Sequence, residues 1–255
     1  SAGWRNVAVD PLDAAVALQL LRTEAPDCRA GDADLADLAR QLGHLPLALH
    51  IAGRWLTQAG RHANGREVRR AMEICVDNAN RSIFNSANSN AHYAGMGTTL
   101  VVGAFLGPRL LLGHIGDSRC YRWRNHTLVQ ITRDHSLLQE QLDAGLITPE
   151  QAAVSPNRNL VTRALGVEAS VMLEVNEFKV EAGDVYVMCS DGLSDMVSDA
   201  AIAAEFSRSH TLDALAENLI HIANDAGGRD NVSVLLVKAS QSIKNRGLFD
   251  RLLGK

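Results

Sequence analysis

The hydrophobic residues in the first part of the chain recur every three or four positions, which is the spacing of one face of a helix. Asp10 followed by Pro11 predicts the start of a helix that continues through residues 12–21, because aspartate favours the N-cap and proline the first helical position. Similar patterns predict helices over residues 33–42 and 46–56. About the first sixty residues are therefore expected to be helical.

From residue 60 onward the pattern changes to a long helix followed by short apolar runs. The helix is predicted over residues 67–84 and a polar loop over 85–92. Apolar runs separated by glycine-containing turns are typical of antiparallel strands. The predicted strands cover residues 98–105, 110–115, 118–123, 172–180, 184–189 and 231–237, and further helices are predicted after Ser136 or Asp134, from Pro149, and over 212–224. The sequence thus predicts an α+β fold with antiparallel sheets.

The composition favours a folded chain with a substantial core. Hydrophobic residues make up 46% and charged residues 21% of the 255 positions, which argues against wholesale disorder. The formal charge is −4 and the pI about 6.1, so binding to nucleic acid through bulk charge is disfavoured. The 4 cysteines form no CxxC pair, and we expect reduced thiols rather than a zinc knuckle.

The chain has no run of the ~18 consecutive apolar residues that a membrane helix requires. Its first residues also lack the basic stretch, apolar run and small-residue cleavage site of a signal peptide. We therefore expect a cytoplasmic protein without membrane insertion.

Three aspartates stand in glycine-containing turns at the predicted ends of apolar strands. Asp117 follows Gly116, Asp191 precedes Gly192, and Asp230 comes shortly after two glycines. An aspartate beside glycine is usually only a turn residue, which is the simpler interpretation of any one of these positions. Rigid strand ends hold carboxylates well for hard cations such as Mg²⁺ or Mn²⁺, and the three sites together favour a metal centre.

Six short motifs in one order carry a resemblance to a known family. They occupy residues 96–99 (Met-Gly-Thr-Thr), 113–119 (Gly-His-Ile-Gly-Asp-Ser-Arg), 132–136 (Thr-Arg-Asp-His-Ser), 162–166 (Thr-Arg-Ala-Leu-Gly), 190–193 (Ser-Asp-Gly-Leu) and 228–231 (Gly-Arg-Asp-Asn). In this order the segment from about residue 60 to 238 resembles the metal-dependent protein phosphatases of type 2C, the PPM family. The resemblance implies an antiparallel β-sandwich flanked by helices, which agrees with the α+β fold predicted above.

The same resemblance implies a function and a set of site residues. PPM phosphatases hold two Mg²⁺ or Mn²⁺ ions and a water molecule that attacks phosphoserine or phosphothreonine. By motif, Asp191 and Asp230 correspond to metal ligands, and Asp117 to a ligand of an additional, weaker metal. His62 resembles the family histidine that protonates the leaving group, although a solvated loop histidine is an equally good interpretation.

The chain also departs from the family pattern. The family reads Asp-Gly-x-Gly-Gly-His before its histidine, and that aspartate bridges both metals, whereas this chain has Thr57 at the corresponding place. The family's opening strands, with the arginine that receives phosphate, have no counterpart here, and Arg5-Asn6 does not fit that segment. The resemblance therefore predicts an incomplete PPM-type fold and impaired activity.

The N-terminal segment resembles a different family. Residues 43–49 (Gly-His-Leu-Pro-Leu-Ala-Leu) and the alanine-rich stretch before them are similar to the helical subdomain of NB-ARC switch ATPases, over about residues 4–58. The phosphate-binding G-x-x-x-x-G-K-[ST] loop occurs nowhere in the chain, so nucleotide hydrolysis is not expected.

The change of resemblance near residue 60 predicts a fusion of two fragments. The expected divisions are an NB-ARC-like helical segment at 1–59, an N-terminally truncated PPM-type domain at 60–240 and a tail at 241–255. Residues 7–58 are expected to cover the sheet edge that the missing strands would leave open.

Two functions follow as alternatives. One is a PPM-type phosphatase with Mn²⁺ or Mg²⁺ and low activity, whose expected partners are phosphorylated protein substrates. The other is an inactive phosphatase-like module that acts by binding proteins. Structural Ca²⁺ binding ranks last because the chain lacks the EF-hand loop pattern. The sequence predicts no particular oligomeric state.

Overall fold

The computed structural model describes residues 13–24, 31–41, 65–153, 155 and 160–239. The predicted helix over 46–56 lies outside the described residues, as does Asp10. The chain forms two compact units: residues 98–164 with 176–241, and residues 1–97 with 165–175 and 242–255.

The second of these units contains α1 (Ala14–Glu24), α2 (Asp32–Gln41), α3 (Gly65–Ser89) and a 3₁₀ turn (Ala91–Tyr93). Helix α1 packs against α2, and both bury apolar residues between them, namely Ala17, Leu21 and Leu35. The prediction that α1 begins at Pro11 was wrong. The helix begins at Ala14, because the Asp13 carboxylate accepts a hydrogen bond from the Ala15 N–H at 2.8 Å and acts as its cap.

Helix α3 buries one apolar stripe, formed by Val68, Ala71, Met72, Cys75 and Val76. It continues to Ser89, so the predicted loop over 85–92 was wrong in its first half. No glycine or proline interrupts the chain until Gly95, and the polar residues of the last turns remain helical.

Asn80, which is fully buried, connects α3 to residues 165–175 of the same unit. Its side-chain amide donates to the Glu168 carbonyl at 2.9 Å, and its carbonyl accepts from the Gly166 N–H at 2.7 Å. Both polar ends of this buried side chain are therefore satisfied by backbone groups.

The other unit contains two antiparallel sheets. Its strands are β1 (Leu100–Leu106), β2 (Arg109–Ile115), β3 (Arg119–Arg124), β4 (Thr127–Gln130), β5 (Glu174–Lys179), β6 (Val185–Cys189) and β7 (Val234–Lys238). One sheet has the order β1-β2-β5 and the other β4-β3-β6-β7. The predicted α+β class with antiparallel sheets is confirmed.

Strand β4 was not predicted. It pairs with β3 across a two-residue turn, in which Asn125 and His126 have φ values of 50° and 61°. Such a turn favours glycine at its second position, and Asn-His gives only a weak sequence signal.

The two faces of the four-stranded sheet are both covered. One face packs against the three-stranded sheet through Leu110, Leu112, Cys120, Tyr186 and Met188. The other face packs against helices, with Tyr121, Val187, Leu193, Ile202 and Leu219 at its centre. Burial on both faces explains why β6 is apolar along its whole length.

The helices of this unit are α4 (Leu137–Asp143), α5 (Pro149–Ala153), α6 (Asp191–Ser194), α7 (Asp199–Arg208) and α8 (Leu212–Asp225). Ser136, rather than Asp134, caps α4, since its hydroxyl accepts from the Gln139 N–H at 3.2 Å. Helix α7 was not predicted, although Ser198 caps it in the same manner.

Cys75, Cys120 and Cys189 are buried free thiols, as expected. Within the part of the chain that the structure describes, no helix combines the length and apolar character needed to cross a membrane.

Candidate metal centre

Four carboxylates from three separate turns influence one another electrostatically. Asp117 follows β2, Asp191 and Asp195 lie at the two ends of α6, and Asp230 precedes β7. Burial and the charges of Asp191 and Asp195 raise the pKa of the Asp117 carboxyl. Burial and the charges of Asp230 and Asp195 raise the pKa of the Asp191 carboxyl. The structure therefore brings together the three aspartates singled out in the sequence and adds a fourth.

Pairing between β6 and β7 places Asp191 beside Asp230. The last register pair is Cys189 with Val234. Beyond it, the Ser190 N–H donates to the Ser233 carbonyl at 3.1 Å, and the Ser190 hydroxyl accepts from the Ser233 N–H at 3.0 Å. The same hydroxyl donates to the Asn231 carbonyl at 3.1 Å. These bonds continue the strand pairing into the turns that carry the carboxylates.

Gly192 makes this close approach possible. A β-carbon on residue 192 would lie 2.3 Å from the carbonyl oxygen of Asn231, which is too close for any other residue. The glycine after Asp191 is therefore required by the backbone of the neighbouring turn, and Asp191 itself is the first residue of α6. This contact explains Gly192 and brings the start of α6 against the turn of Asp230.

Asp117 follows a glycine that is required for two reasons. Gly116 has φ of +104°, and a β-carbon there would lie 2.4 Å from Thr99 Cγ2. Its N–H donates to His135 Nδ1 at 3.1 Å, and its carbonyl accepts from the His135 N–H at 2.9 Å. The backbone immediately before Asp117 is therefore fixed from both sides.

Burial and neighbouring carboxylates raise the pKa of two of these groups, Asp117 and Asp191. Burial, the charge of Asp191 and smaller contributions from Asp134 and Asp195 raise the pKa of Asp117 from 3.8 to about 6. Burial and the charges of Asp230 and Asp195 also raise the pKa of Asp191, against the lowering effect of the Gly192 N–H. A divalent cation would offset this repulsion, and the donors are all oxygen atoms, the type that Mg²⁺ and Mn²⁺ prefer. The residues present therefore fit such an ion.

Asp195 was missed in the sequence. Its N–H donates to the Asp191 carbonyl at 2.8 Å, so the two aspartates are joined by one helical turn. The spacing of four residues was the available signal, because residues four apart lie on one side of a helix.

A polar network adjoins the carboxylates. The Arg119 Nε donates to both carboxylate oxygens of Asp134 at 3.0 Å, and its Nη2 donates to Asp134 Oδ2 at 2.7 Å. Arg119 Nη1 donates to the Tyr121 hydroxyl at 3.2 Å, which donates to Asp199 Oδ1 at 3.0 Å. Burial lowers the pKa of Arg119, but the hydrogen bonds and charge of Asp134 outweigh it and leave the pKa above its ordinary value. The guanidinium is thus a fixed positive charge.

A cavity of about 280 Å³ opens beside these groups. Charged and polar side chains line one part of it, including Asp117, Arg119, Asp134, Ser194 and Asp195. The other part is lined by apolar residues within α4 and α5, namely Leu138, Leu142, Pro149 and Ala152. A polar ligand can therefore reach Asp117 and Asp195 from solvent.

The remaining predicted site residue, His62, lies outside the described residues, as does Thr57.

Comparison with curated proteins gives phosphatases among the relatives of this chain, while no family model matches. The chain is 34% identical over 204 residues to the serine/threonine phosphatase Stp of Listeria monocytogenes, which covers 78% of this chain and 81% of the relative. It is 36% identical over 175 residues to the protein phosphatase PhpP of Streptococcus pneumoniae, and the match covers 69% of this chain and 71% of the relative. It is 41% identical over 173 residues to the serine/threonine protein phosphatase PstP of Mycobacterium tuberculosis, and the match covers 68% of this chain and 33% of the relative.

Solved structures give the same result. The serine/threonine phosphatase of S. agalactiae matches with a TM-score of 0.69 and 32% identity, over 78% of this chain and 83% of that one. The catalytic domain of PstP in complex with two manganese ions matches with a TM-score of 0.65 and 35% identity, over 76% and 81%. The PPM Ser-Thr phosphatase MsPP of Mycobacterium smegmatis, in complex with cacodylate, matches with a TM-score of 0.60 and 30% identity, over 69% and 75%.

Proposed function

The chain belongs to the PPM family of serine/threonine phosphatases, and from this premise we propose that it hydrolyses phosphoserine and phosphothreonine in proteins. Water adds to phosphorus, the bond from phosphorus to the side-chain oxygen breaks, and that oxygen takes a proton. The products are inorganic phosphate and the free hydroxyl.

The observation that carries this proposal is the proximity of four aspartates, two of which, Asp117 and Asp195, line a cavity. Partial burial and the charges of neighbouring aspartates raise the pKa of Asp117 and Asp191, and such perturbed groups are typical of functional sites. We propose that Asp191 and Asp230 hold Mn²⁺ or Mg²⁺, and that Asp117 and Asp195 serve an additional, weaker ion. When bound, these ions lower the pKa of water and offset the charge of the phosphate.

The protein's own residues keep the acceptors in place. Ser190 and Gly192 hold Asp191 against the turn of Asp230, and the pair of Arg119 with Asp134 sets the wall of the cavity beside Asp117. We assign to His62 the protonation of the leaving oxygen, on the strength of its motif.

We further propose that the activity is low, because Thr57 replaces the aspartate that bridges both ions in the family. A site with one carboxylate fewer binds its cations more weakly, and a missing cation removes both charge neutralisation and water activation. Cytoplasmic phosphoproteins are the proposed substrates.

Thr57 also favours a second candidate, an inactive module that binds phosphoproteins without hydrolysing them. In this case residues 1–59, with their NB-ARC-like motif, and the domain at 60–240 would act together as a binding protein, followed by a tail at 241–255.

The deciding experiment measures phosphate release from a phosphothreonine peptide as a function of Mn²⁺ concentration. Wild type is compared with Asp191→Asn and with Asp213→Asn, an identical change at an exposed position on α8. Saturable release that is lost in Asp191→Asn and kept in Asp213→Asn supports the phosphatase. Peptide binding without release at any Mn²⁺ concentration supports the second candidate.

A further inference from the structure

His135 and Gly116 bind each other through two hydrogen bonds, although they are 19 residues apart in the chain. One joins the two backbones, from the His135 N–H to the Gly116 carbonyl at 2.9 Å. The other uses the side chain, because the Gly116 N–H donates to His135 Nδ1 at 3.1 Å. Both polar backbone atoms of the residue before Asp117 are therefore held by one histidine.

The second bond determines the form of the imidazole. A backbone N–H can only donate, so Nδ1 of His135 must carry a lone pair and no proton. The ring is thus in its neutral form, with any ring proton on Nε2.

The surroundings keep this ring in one position. His135 is 6% exposed, and its ring stacks on that of His114, with centroids 4.6 Å apart and planes at 16°. His114 is 1% exposed, and its Nε2 lies 2.8 Å from the Arg133 carbonyl. The His135 carbonyl in turn accepts from the Thr162 N–H at 2.8 Å. The acceptor at Nδ1 is therefore presented by a rigid group.

A substitution at residue 116 could not supply a new acceptor, since Thr99 fills the space where a β-carbon would lie. An aromatic ring without a lone pair at position 135 would leave the Gly116 N–H buried without this partner. A buried unpaired N–H is costly, so the turn that presents Asp117 would shift towards solvent or towards another acceptor.

We propose that His135 is a positioning residue for Asp117: its neutral Nδ1 fixes the turn so that the carboxylate faces the other aspartates in readiness for a divalent cation. His135 acts through Gly116. This inference rests on the proposed metal-dependent function. In that function His135 would orient a metal ligand without touching the metal, as hydrogen-bond partners of metal ligands commonly do.

Three variants separate positioning from general stability. His135→Phe keeps a stacked ring and removes the acceptor. His135→Asn places an amide oxygen near the position of Nδ1. His114→Phe makes the same chemical change in the other ring of the stack, which has no bond to Gly116 in the structure.

The first measurement is Mn²⁺ binding by calorimetry, with thermal unfolding measured for every variant. We expect His135→Phe to weaken the weakest Mn²⁺ site about tenfold, the size typical of lost outer-shell partners. His135→Asn is expected to restore most of that affinity. His114→Phe is expected to lower the Tm without changing the Mn²⁺ affinity.

The second measurement is the exchange rate of the Gly116 amide proton by NMR in the metal-free protein. We expect faster exchange in His135→Phe only. If His135→Phe does not fold, His135→Gln replaces it, since the longer side chain moves the oxygen away from the Nδ1 position and should weaken binding where Asn does not.

The outcomes are distinct. Equal Mn²⁺ affinity in wild type and His135→Phe, or an equal loss in both ring variants, overturns the positioning role and leaves the proposed phosphatase intact. Absence of any Mn²⁺ binding in the wild type overturns the proposed function, and the Gly116 exchange rates then decide whether His135 holds the turn.

Discussion

The backbone of Gly192 lies against Asn231 so closely that a β-carbon on residue 192 would stand 2.3 Å from the Asn231 carbonyl oxygen. This contact joins the turn that carries Asp191 to the turn that carries Asp230. The separation of the two carboxylates is therefore set by the contact of two backbones, which are far less adjustable than side chains.

Replacing Gly192 with alanine should push the Asp230 turn away. We expect a loss of about 1–3 kcal/mol in the free energy of unfolding, as for other overpacked sites. We also expect at least a tenfold increase in the Mn²⁺ concentration that half-saturates the protein. Urea denaturation and calorimetry measure the two effects. The control is Gly183→Ala, at an open position with φ of +91°, which should lower stability and leave Mn²⁺ binding unchanged. Equal Mn²⁺ binding in Gly192→Ala and wild type would contradict the argument.

Asp117 should make the metal-free protein less stable as the pH rises. The pKa of its carboxyl is about 6 in the folded protein and near 3.8 when unfolded, so the folded state holds the proton at higher pH. The resulting stabilisation is fully present below about pH 4 and is lost as the pH rises to about 6, by at most about 3 kcal/mol.

Asp117→Asn tests this sign. Without Mn²⁺, the variant should gain stability relative to wild type between pH 4 and pH 7, as measured by urea denaturation across that range. Carboxylates away from this cluster titrate in both proteins and cancel in the difference, whereas Asp191, whose charge acts on Asp117, adds to it. A difference that stays constant with pH would show that Asp117 is not destabilised by its neighbours.

The pair of Arg119 with Asp134 should be coupled strongly, because their side chains are only 24% and 10% exposed. Arg119→Lys removes the forked contact and should cost about 2 kcal/mol, since an ammonium group cannot make the same set of bonds. A double-mutant cycle with Asp134→Asn measures the coupling energy, which we expect to exceed 1 kcal/mol. Additive effects of the two changes would contradict this prediction. Arg109→Lys is the matched control, because its pair with Glu177 is about half exposed.

Asn80 should be one of the polar residues on which the stability of its unit depends. Asn80→Ala removes the partner of the buried Gly166 N–H and of the partly buried Glu168 carbonyl, and we expect a loss of about 2–4 kcal/mol in unfolding free energy. Asn88→Ala on the same helix removes one exposed bond to the Phe84 carbonyl and should change stability by less than about 1 kcal/mol. Similar losses in the two variants would show that the buried bonds carry no special weight.

The elements with strong local signals could be predicted from the sequence. Strand β6 is apolar throughout because both of its faces are buried, and α4 follows a serine cap. Helix α7 was missed, although its residues bury Ile202 and Glu205 against the rest of the unit. Its alanine-rich sequence has a weak apolar stripe, and packing decides its conformation.

The candidate site was predictable only in part. Asp117, Asp191 and Asp230 could be found because each stands beside or shortly after glycine at the end of a predicted strand. The physical reasons for two of those glycines, contacts with Thr99 and Asn231, depend on chain segments far away in sequence. The bond between Gly116 and His135 is likewise long-range, and no periodicity in the sequence reports it.

The origin of the four carboxylates in three distant turns has a consequence for folding. Asp117 and Asp230 stand more than a hundred residues apart in the chain, and each lies near Asp191 only once β6 has paired with both β3 and β7. An unfolded or half-assembled chain therefore presents separate carboxylates with little affinity for a divalent ion. Any cation that binds the finished site selects the fully paired sheet and shifts the folding equilibrium towards it by mass action. Cation concentration would then govern how much of the protein is folded, as well as how fast it works.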